Sequence, residues 1–169
     1  AFVEKDYLRA ARLCDEQIAA TGKTHLIDLL RMKARMFERS GQPARAREVY
    51  EQVLAQREYH WARAGLGKIR LADGEYEQAR QMFQTIVAEN RHYIDAYDQL
   101  ALAYQGMGQH EEAAAILERA ARLSPNSVPR QRSLGQAALR LGNIPLAEKA
   151  FRKCLVIGEY SIRKTPDAY

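Results

Sequence analysis

The fold is decided by residues 94–125, which read "IDAYDQLALAYQGMGQHEEAAAILERAARLSP". In the first half, Tyr97, Leu100 and Tyr104 follow one another at intervals of three and four residues. This spacing places apolar side chains on one stripe of an α-helix. A second stretch with the same kind of spacing follows Gly108. The segment therefore predicts two helices joined by a short turn at this glycine.

The same pattern occurs four times along the chain. In each copy a glycine follows the first apolar stretch, an alanine comes five residues later, and a large apolar residue comes four residues after the alanine. Successive glycines are 33, 34 and 34 residues apart. A period of this length is typical of stacked helix pairs. The matched positions are Gly41, Gly74, Gly108 and Gly142; Ala46, Ala79, Ala113 and Ala147; and Tyr50, Phe83, Leu117 and Phe151.

Helix pairs of this size need neighbours. A single helix of about 12–15 residues is only marginally stable in water, and one pair buries only part of its apolar surface. Stacking the pairs requires small residues where helix axes approach to about 8–10 Å. We expect such contacts at Gly67, Ala79, Ala101, Ala113 and Gly135.

The pattern resembles the tetratricopeptide repeat over nearly the whole chain. The clearest copy is 94–127, where Leu100, Tyr104, Gly108 and Pro125 match the family's motif. The resemblance implies an all-α fold, a right-handed α-solenoid of helix–turn–helix repeats, as a single array over residues 1–169. The implied full repeats are 27–59, 60–93, 94–127 and 128–160, with 1–26 as the second helix of a truncated repeat and 161–169 as the start of a further one. We therefore expect a fragment of a longer array.

Four phrases resemble one narrower group of proteins. They are "YEQVLAQREYHWARAGLGKI", "ENRHYIDAYDQLA", "RQRSLGQAALRLGN" and "AFRKCLVIGEYSIRKTPDAY". In these bacterial response regulators, a receiver domain precedes a tetratricopeptide array. The resemblance implies a receiver before residue 1 and a role for this chain as the output or partner-binding region in two-component signal transduction.

The bulk composition fits a folded protein without a membrane span. Apolar residues make up 47% of the chain and charged residues 28%, and no run of about 18 apolar residues occurs. The formal charge of +5 is compatible with nucleic acid, acidic lipid or an acidic protein surface, or with a solvated surface of mixed charge. Cys14 and Cys154 lie far apart without a CxxC motif, which favours two reduced thiols and a cytoplasmic location.

No motif for catalysis or cofactor binding is found. The "GLGK" of residues 65–68 lacks the full phosphate-loop spacing, so close helix packing explains its glycines better. The "HEEAA" of residues 110–114 lacks the second histidine of a zinc protease helix. No nucleophile elbow is present. We therefore expect no enzyme, no cofactor, no metal and no small-molecule substrate.

The resemblance also implies where a partner binds. In the family, the first helix of each repeat lines a concave groove. Arg31, Arg35 and Arg39 stand four residues apart and form a ridge that can hold carboxylates; alternatively, these arginines are solvated or pair along their own helix. Trp61 adds an apolar centre, or instead packs between repeats. The implied partner-binding residues are Arg31, Arg35, Arg39, Trp61, Lys68, Leu71, Asp98, Gln105, Arg132, Gln136 and Arg140.

These features favour a protein-interaction scaffold over two alternatives. The expected partner is a protein or peptide, extended or helical, that carries acidic and apolar residues. A scaffold for assembly or secretion in the cell envelope is one alternative. A nucleic-acid surface is the other and is not favoured, because it needs stacked aromatics in a basic groove, whereas Asp95 and Asp98 interrupt the charge.

Overall fold

The computed structural model describes residues 2–21 and 25–163. Within these two ranges the chain forms nine α-helices and no strand. The helices are α1 Phe2–Thr21, α2 Leu26–Arg39, α3 Pro43–Gln56, α4 His60–Ala72, α5 Tyr76–Glu89, α6 Ile94–Gly106, α7 His110–Leu123, α8 Val128–Arg140 and α9 Ile144–Arg163.

The helices belong to two compact units. The first unit, Ala1–Asp73, contains α1 to α4, and the second, Gly74–Tyr169, contains α5 to α9. Inside each unit every helix packs against the next one along the chain. We call α2, α4, α6 and α8 the first helices of their pairs and α3, α5, α7 and α9 the second helices. The four first helices begin within one residue of the repeat starts expected at 27, 60, 94 and 128.

The turn glycines adopt a backbone conformation that other residues avoid. At Gly41, Gly74, Gly108 and Gly142 the angle φ lies between +69° and +79°, where a Cβ atom introduces strain. After α6, the Gly108 nitrogen donates to the Gln105 oxygen and the Gln109 nitrogen donates to the Tyr104 oxygen. This pair of bonds is a Schellman motif, which satisfies the last carbonyl groups of the helix.

The core follows the positions predicted from the repeat. Ala46, Ala79, Ala113 and Ala147 are at most 1% exposed, so the alanine of each copy lies at a helix contact. The large apolar residue that follows it is also buried in the first three copies. The fourth, Phe151, is only partly buried, because within the described residues α9 packs closely against α8 alone.

Three glycines provide space for an aromatic ring. A Cβ atom added to Gly135 would lie 2.7 Å from the Phe151 ring, and one added to Gly65 would overlap the Tyr50 ring. Gly106 stands against Tyr76 in the same way. These glycines let a first helix and a second helix approach closely, as expected for "GLGK".

Part of the expected final repeat lies outside the described residues. Residues 161–163 continue α9, because no proline follows in the sequence before Pro166. Residues 164–169 lie beyond the described range. The start of a further repeat therefore remains a prediction.

Exchange of Gly135 for alanine should destabilise the protein. The added methyl group overpacks the contact with Phe151, which typically costs about 1–3 kcal/mol. The control is Gly158→Ala in α9, where nothing lies within 4 Å of the added atom and stability should rise by about 0.5–1 kcal/mol. Chemical denaturation measures both. A Gly135→Ala protein as stable as the parent would contradict this close approach.

Ala113→Leu should also destabilise the protein, by roughly 1–3 kcal/mol. Ala113 is 1% exposed in the interior of the second unit, so no space accommodates a larger side chain. Ala115 is exposed on the same helix, and Ala115→Leu should melt within error of the parent. Equal melting temperatures for the two variants would show that Ala113 is not a tightly packed core residue.

Candidate functional site

An arginine and two aromatic rings form a stack in the first unit. The Arg31 guanidinium carbon lies 5.3 Å from the centre of the Trp61 ring. Trp61 in turn contacts Tyr50 edge to face, with ring centres 6.0 Å apart and planes at 64°. Arg31 remains exposed, whereas Trp61 is half-buried and Tyr50 is buried. Trp61 is thus both a packing residue and part of the accessible surface.

Tyr59 extends this aromatic cluster to the start of α4. Its ring centre lies 6.1 Å from that of Trp61, with the planes tilted by 41°. The Arg57 guanidinium carbon lies 5.8 Å from the centre of the Tyr59 ring. Arg57 and Tyr59 were not among the predicted partner-binding residues. Cation–aromatic contacts of this kind restrict the orientation of both partners.

Glu38 places a negative charge beside the arginine ridge. Burial and a hydrogen bond with Glu38 raise the pKa of Tyr50, and the nearby Arg35 and Arg31 oppose the rise. The hydroxyl of Tyr50 therefore stays protonated and donates to the carboxylate of Glu38. The ridge is consequently not a uniform row of positive charge.

The three ridge arginines have different surroundings. Arg31 lies over Trp61 of α4, whereas the Arg39 guanidinium carbon lies 5.9 Å from the centre of the Tyr7 ring of α1. Arg35 is exposed between them. Of the other predicted residues in this unit, Lys68 is exposed and Leu71 is half-buried. The ridge residues are therefore spread over the surface of α2 and reach towards two neighbouring helices.

In the second unit, four of the predicted residues line one cleft. Asp98 and Gln105 of α6 face Gln136 and Arg140 of α8 across a space of about 200 Å³. Leu102 adds an exposed apolar side chain to the same cleft. Arg132 is exposed on α8 but does not line this cleft. Amide, guanidinium and apolar groups therefore line this cleft together.

Arg130 connects the two first helices of the second unit. Its Nε donates to the Asp98 Oδ2 at 2.9 Å and its Nη2 donates to the Asp95 Oδ1 at 2.6 Å. Burial raises the pKa of Asp98, and the hydrogen bond and charge of Arg130 oppose that rise. Asp98 thus has an intramolecular partner that sequence reasoning missed. Opposite charges at neighbouring positions of successive repeats were the available signal.

The described residues were also compared with the requirements of a metal site, a reactive thiol and a membrane-spanning helix. No three or more His, Cys, Asp or Glu side chains are placed there to hold a metal ion. Cys14 and Cys154 are free thiols, and burial raises the pKa of Cys14. Within the same ranges, no helix has the length and apolar character needed to cross a membrane.

The sequence matches family models in two places. One tetratricopeptide repeat model matches residues 38–103 and another matches residues 99–162. Tetratricopeptide repeat protein 8 of Mus musculus is 27% identical over 88 residues, which make up 52% of this chain and 17% of that protein. The chain therefore spans only a small part of this curated relative.

Solved structures of MamA share the fold. One is 25% identical, with a TM-score of 0.81 over 94% of this chain and 92% of that one. Another is also 25% identical, with a TM-score of 0.77 over 94% and 86%. A MamA structure from Desulfovibrio magneticus RS-1 is 22% identical, with a TM-score of 0.69 over 95% and 97%, and shows the fold alone.

These comparisons confirm the all-α solenoid fold class and give no support for a response-regulator relationship. The two family models describe the same repeat and together cover residues 38–162. The helix pairs and their turn glycines have the same period. Residues 38–162 of the chain consist of tetratricopeptide repeats.

Proposed function

We propose that the chain is a non-enzymatic scaffold whose first helices bind a peptide or helix of a partner protein. The observation that carries the proposal is the stack of Arg31 on Trp61 and Tyr50 in the first unit. An exposed cation held on an aromatic surface offers a charged and an apolar contact side by side. Aromatic and arginine side chains that become buried when a partner binds contribute most of the binding energy of many interfaces.

The first unit favours a partner with acidic and apolar residues. The contact with Trp61 restricts the guanidinium of Arg31, so less side-chain entropy is lost when it binds a carboxylate. Arg35 is exposed one turn further along α2. An apolar side chain of the partner would contact Trp61, and Lys68 and Leu71 extend this surface along α4.

The second unit favours contacts with a peptide backbone. The amides of Gln105 and Gln136 can each donate and accept hydrogen bonds, and both line the cleft between α6 and α8. Arg140 supplies a cation to the same cleft, while Arg132 is exposed nearby on α8. Asp98 acts mainly through its contact with Arg130. We assign this cleft to the part of a partner that has few charges.

A signalling role is the narrower proposal. The resemblance of four phrases to bacterial response regulators is the support for a cytoplasmic output region that acts after a receiver domain. The sequence upstream of Ala1 in the parent protein tests this proposal. A receiver there would support it, whereas a signal peptide or lipobox would favour the envelope scaffold.

Arg35→Glu combined with Trp61→Ala should reduce recovery of the partner about tenfold or more. The double variant removes the aromatic contact and reverses the charge next to it. The measurement is a pull-down from native lysate, quantified by mass spectrometry after nuclease treatment. Arg91→Glu, in the turn before α6, is the control for charge and should recover the partner as the parent does.

The fold of the double variant must be checked, because Trp61 also packs on Tyr50. Arg35→Glu alone changes only an exposed side chain and should melt like the parent while still losing partner. Undiminished recovery with both Arg35→Glu and the double variant would refute binding at the first helices. Recovery that disappears with nuclease would indicate nucleic acid instead.

A further inference from the structure

The net excess of positive charge in the sequence lies in one helix pair. Residues 1–127 contain 18 Lys and Arg and 18 Asp and Glu, so they carry no net charge. Residues 128–163, which form α8 and α9, contain 7 Lys and Arg but only 2 Asp and Glu. The formal excess of +5 therefore belongs to α8 and α9. Such a local excess attracts an acidic partner.

A groove with an apolar floor lies between α7 and α9 in this region. Its space is about 270 Å³, and Leu134 of α8 and Leu146 of α9 line it. Leu134 is buried and Leu146 is half-buried. The groove uses a different face of α8 from the cleft that contains Gln136 and Arg140. It is therefore separate from the surface assigned to the first helices.

Cations surround this groove. Lys149 and Lys153 are exposed one turn apart on α9, and Arg122 borders the groove from α7. Arg122 lies 3.3 Å from Glu118, the one acidic residue that lines the groove. Beyond the lysines, Val156 is 65% exposed on α9. The groove thus combines an apolar interior with a mainly positive rim.

The equivalent groove of the first unit has a smaller excess of positive charge, with Arg12, Lys33 and Arg45 against Asp15 and Glu48. It lies between α1 and α3 and has a space of about 340 Å³. The Lys33 Nζ lies 2.6 Å from the Asp15 Oδ1 and 5.8 Å from the centre of the Phe37 ring. Arg45 lies over the same ring at 5.7 Å. These cations have partners within the groove.

The positive rim is not a consequence of the fold. With Gly41 matched to Gly142, the positions of Lys149 and Lys153 are occupied by Glu48 and Gln52 in the first unit. Both of these residues also line their groove. The repeat therefore tolerates acidic and neutral residues at these places, and α9 carries two lysines there.

We propose that the groove between α7 and α9 binds an acidic amphipathic segment of a partner protein. An apolar side chain of the segment enters the groove, and flanking carboxylates contact Lys149 and Lys153. A cavity of about 150 Å³ already holds benzene, so the groove can accept a leucine-sized side chain. Because the apolar floor is recessed below the rim, a single inserted side chain reaches it and a flat lipid surface does not.

A designed peptide tests this proposal. The probe is a fluorescein-labelled helix of about 16 residues with leucines at i, i+3 and i+7 and glutamates around them, and its binding to the full chain is followed by fluorescence anisotropy. Lys149→Glu with Lys153→Glu should weaken binding about tenfold or more. Raising the ionic strength from about 0.05 M to about 0.3 M should weaken binding to the parent.

Matched controls separate this surface from general charge effects. Arg9→Glu with Arg91→Glu changes the net charge equally at exposed sites elsewhere and should alter the dissociation constant by less than about twofold. Arg31→Glu with Arg35→Glu alters the other surface proposed for acidic partners, and the peptide should lose less affinity with this variant than with the lysine variant. A second peptide has glutamine in place of every glutamate. Its affinity for the parent protein should be as low as the affinity of the glutamate peptide for the lysine variant.

Three outcomes would overturn the proposal. The first is no binding of the acidic peptide to the parent chain. The second is an equal loss of affinity in the lysine double variant and in either arginine double variant. The third is sedimentation with phosphatidylglycerol vesicles that depends on Lys149 and Lys153 without binding of the peptide, which would assign the surface to a membrane. Thermal melting of each variant should match the parent, since both lysines are exposed.

Discussion

The structure depends on close contact between helices that cannot bury their apolar stripes alone. Alanine and glycine at the contacts allow this approach, and aromatic rings such as Tyr50 and Phe151 fill the space that remains. In the pairs α2–α3, α6–α7 and α8–α9, a left-handed glycine follows the first helix and the second helix packs against it. Each surface of functional interest consists of the side chains that this packing leaves outward.

The repeat was predictable because its signals are local and recur. Gly108 and Ala113 are recognisable in one copy, and three further copies in phase make chance agreement implausible. The resemblance to the repeat family implied Arg31, Arg35, Gln105 and Gln136 as partner-binding residues; in the structure the two arginines are exposed and the two glutamines line one cleft. A periodic pattern determines which face of a helix a residue occupies.

Contacts between different helices were not predictable in the same way. The hydrogen bond of Tyr50 with Glu38 and the contact of Arg39 with Tyr7 depend on rotamers of long side chains. Periodicity specifies a face but not a rotamer, so Arg39 was assigned to the same ridge as Arg31 although it reaches α1 instead. The groove between α7 and α9 was not predicted, because its size depends on the distance between two second helices, which a periodic pattern does not give.

Arg130 shows how an ionic contact can connect two repeats of the molecule. One guanidinium contacts two carboxylates of the preceding first helix at 2.6 and 2.9 Å, so it ties the start of α8 to the start of α6. Moderate salt has little effect on apolar packing, whereas it screens the attraction within a partly exposed ion pair. A carboxylate of a partner would compete for the same guanidinium, so an acidic ligand and added salt would weaken the same contact.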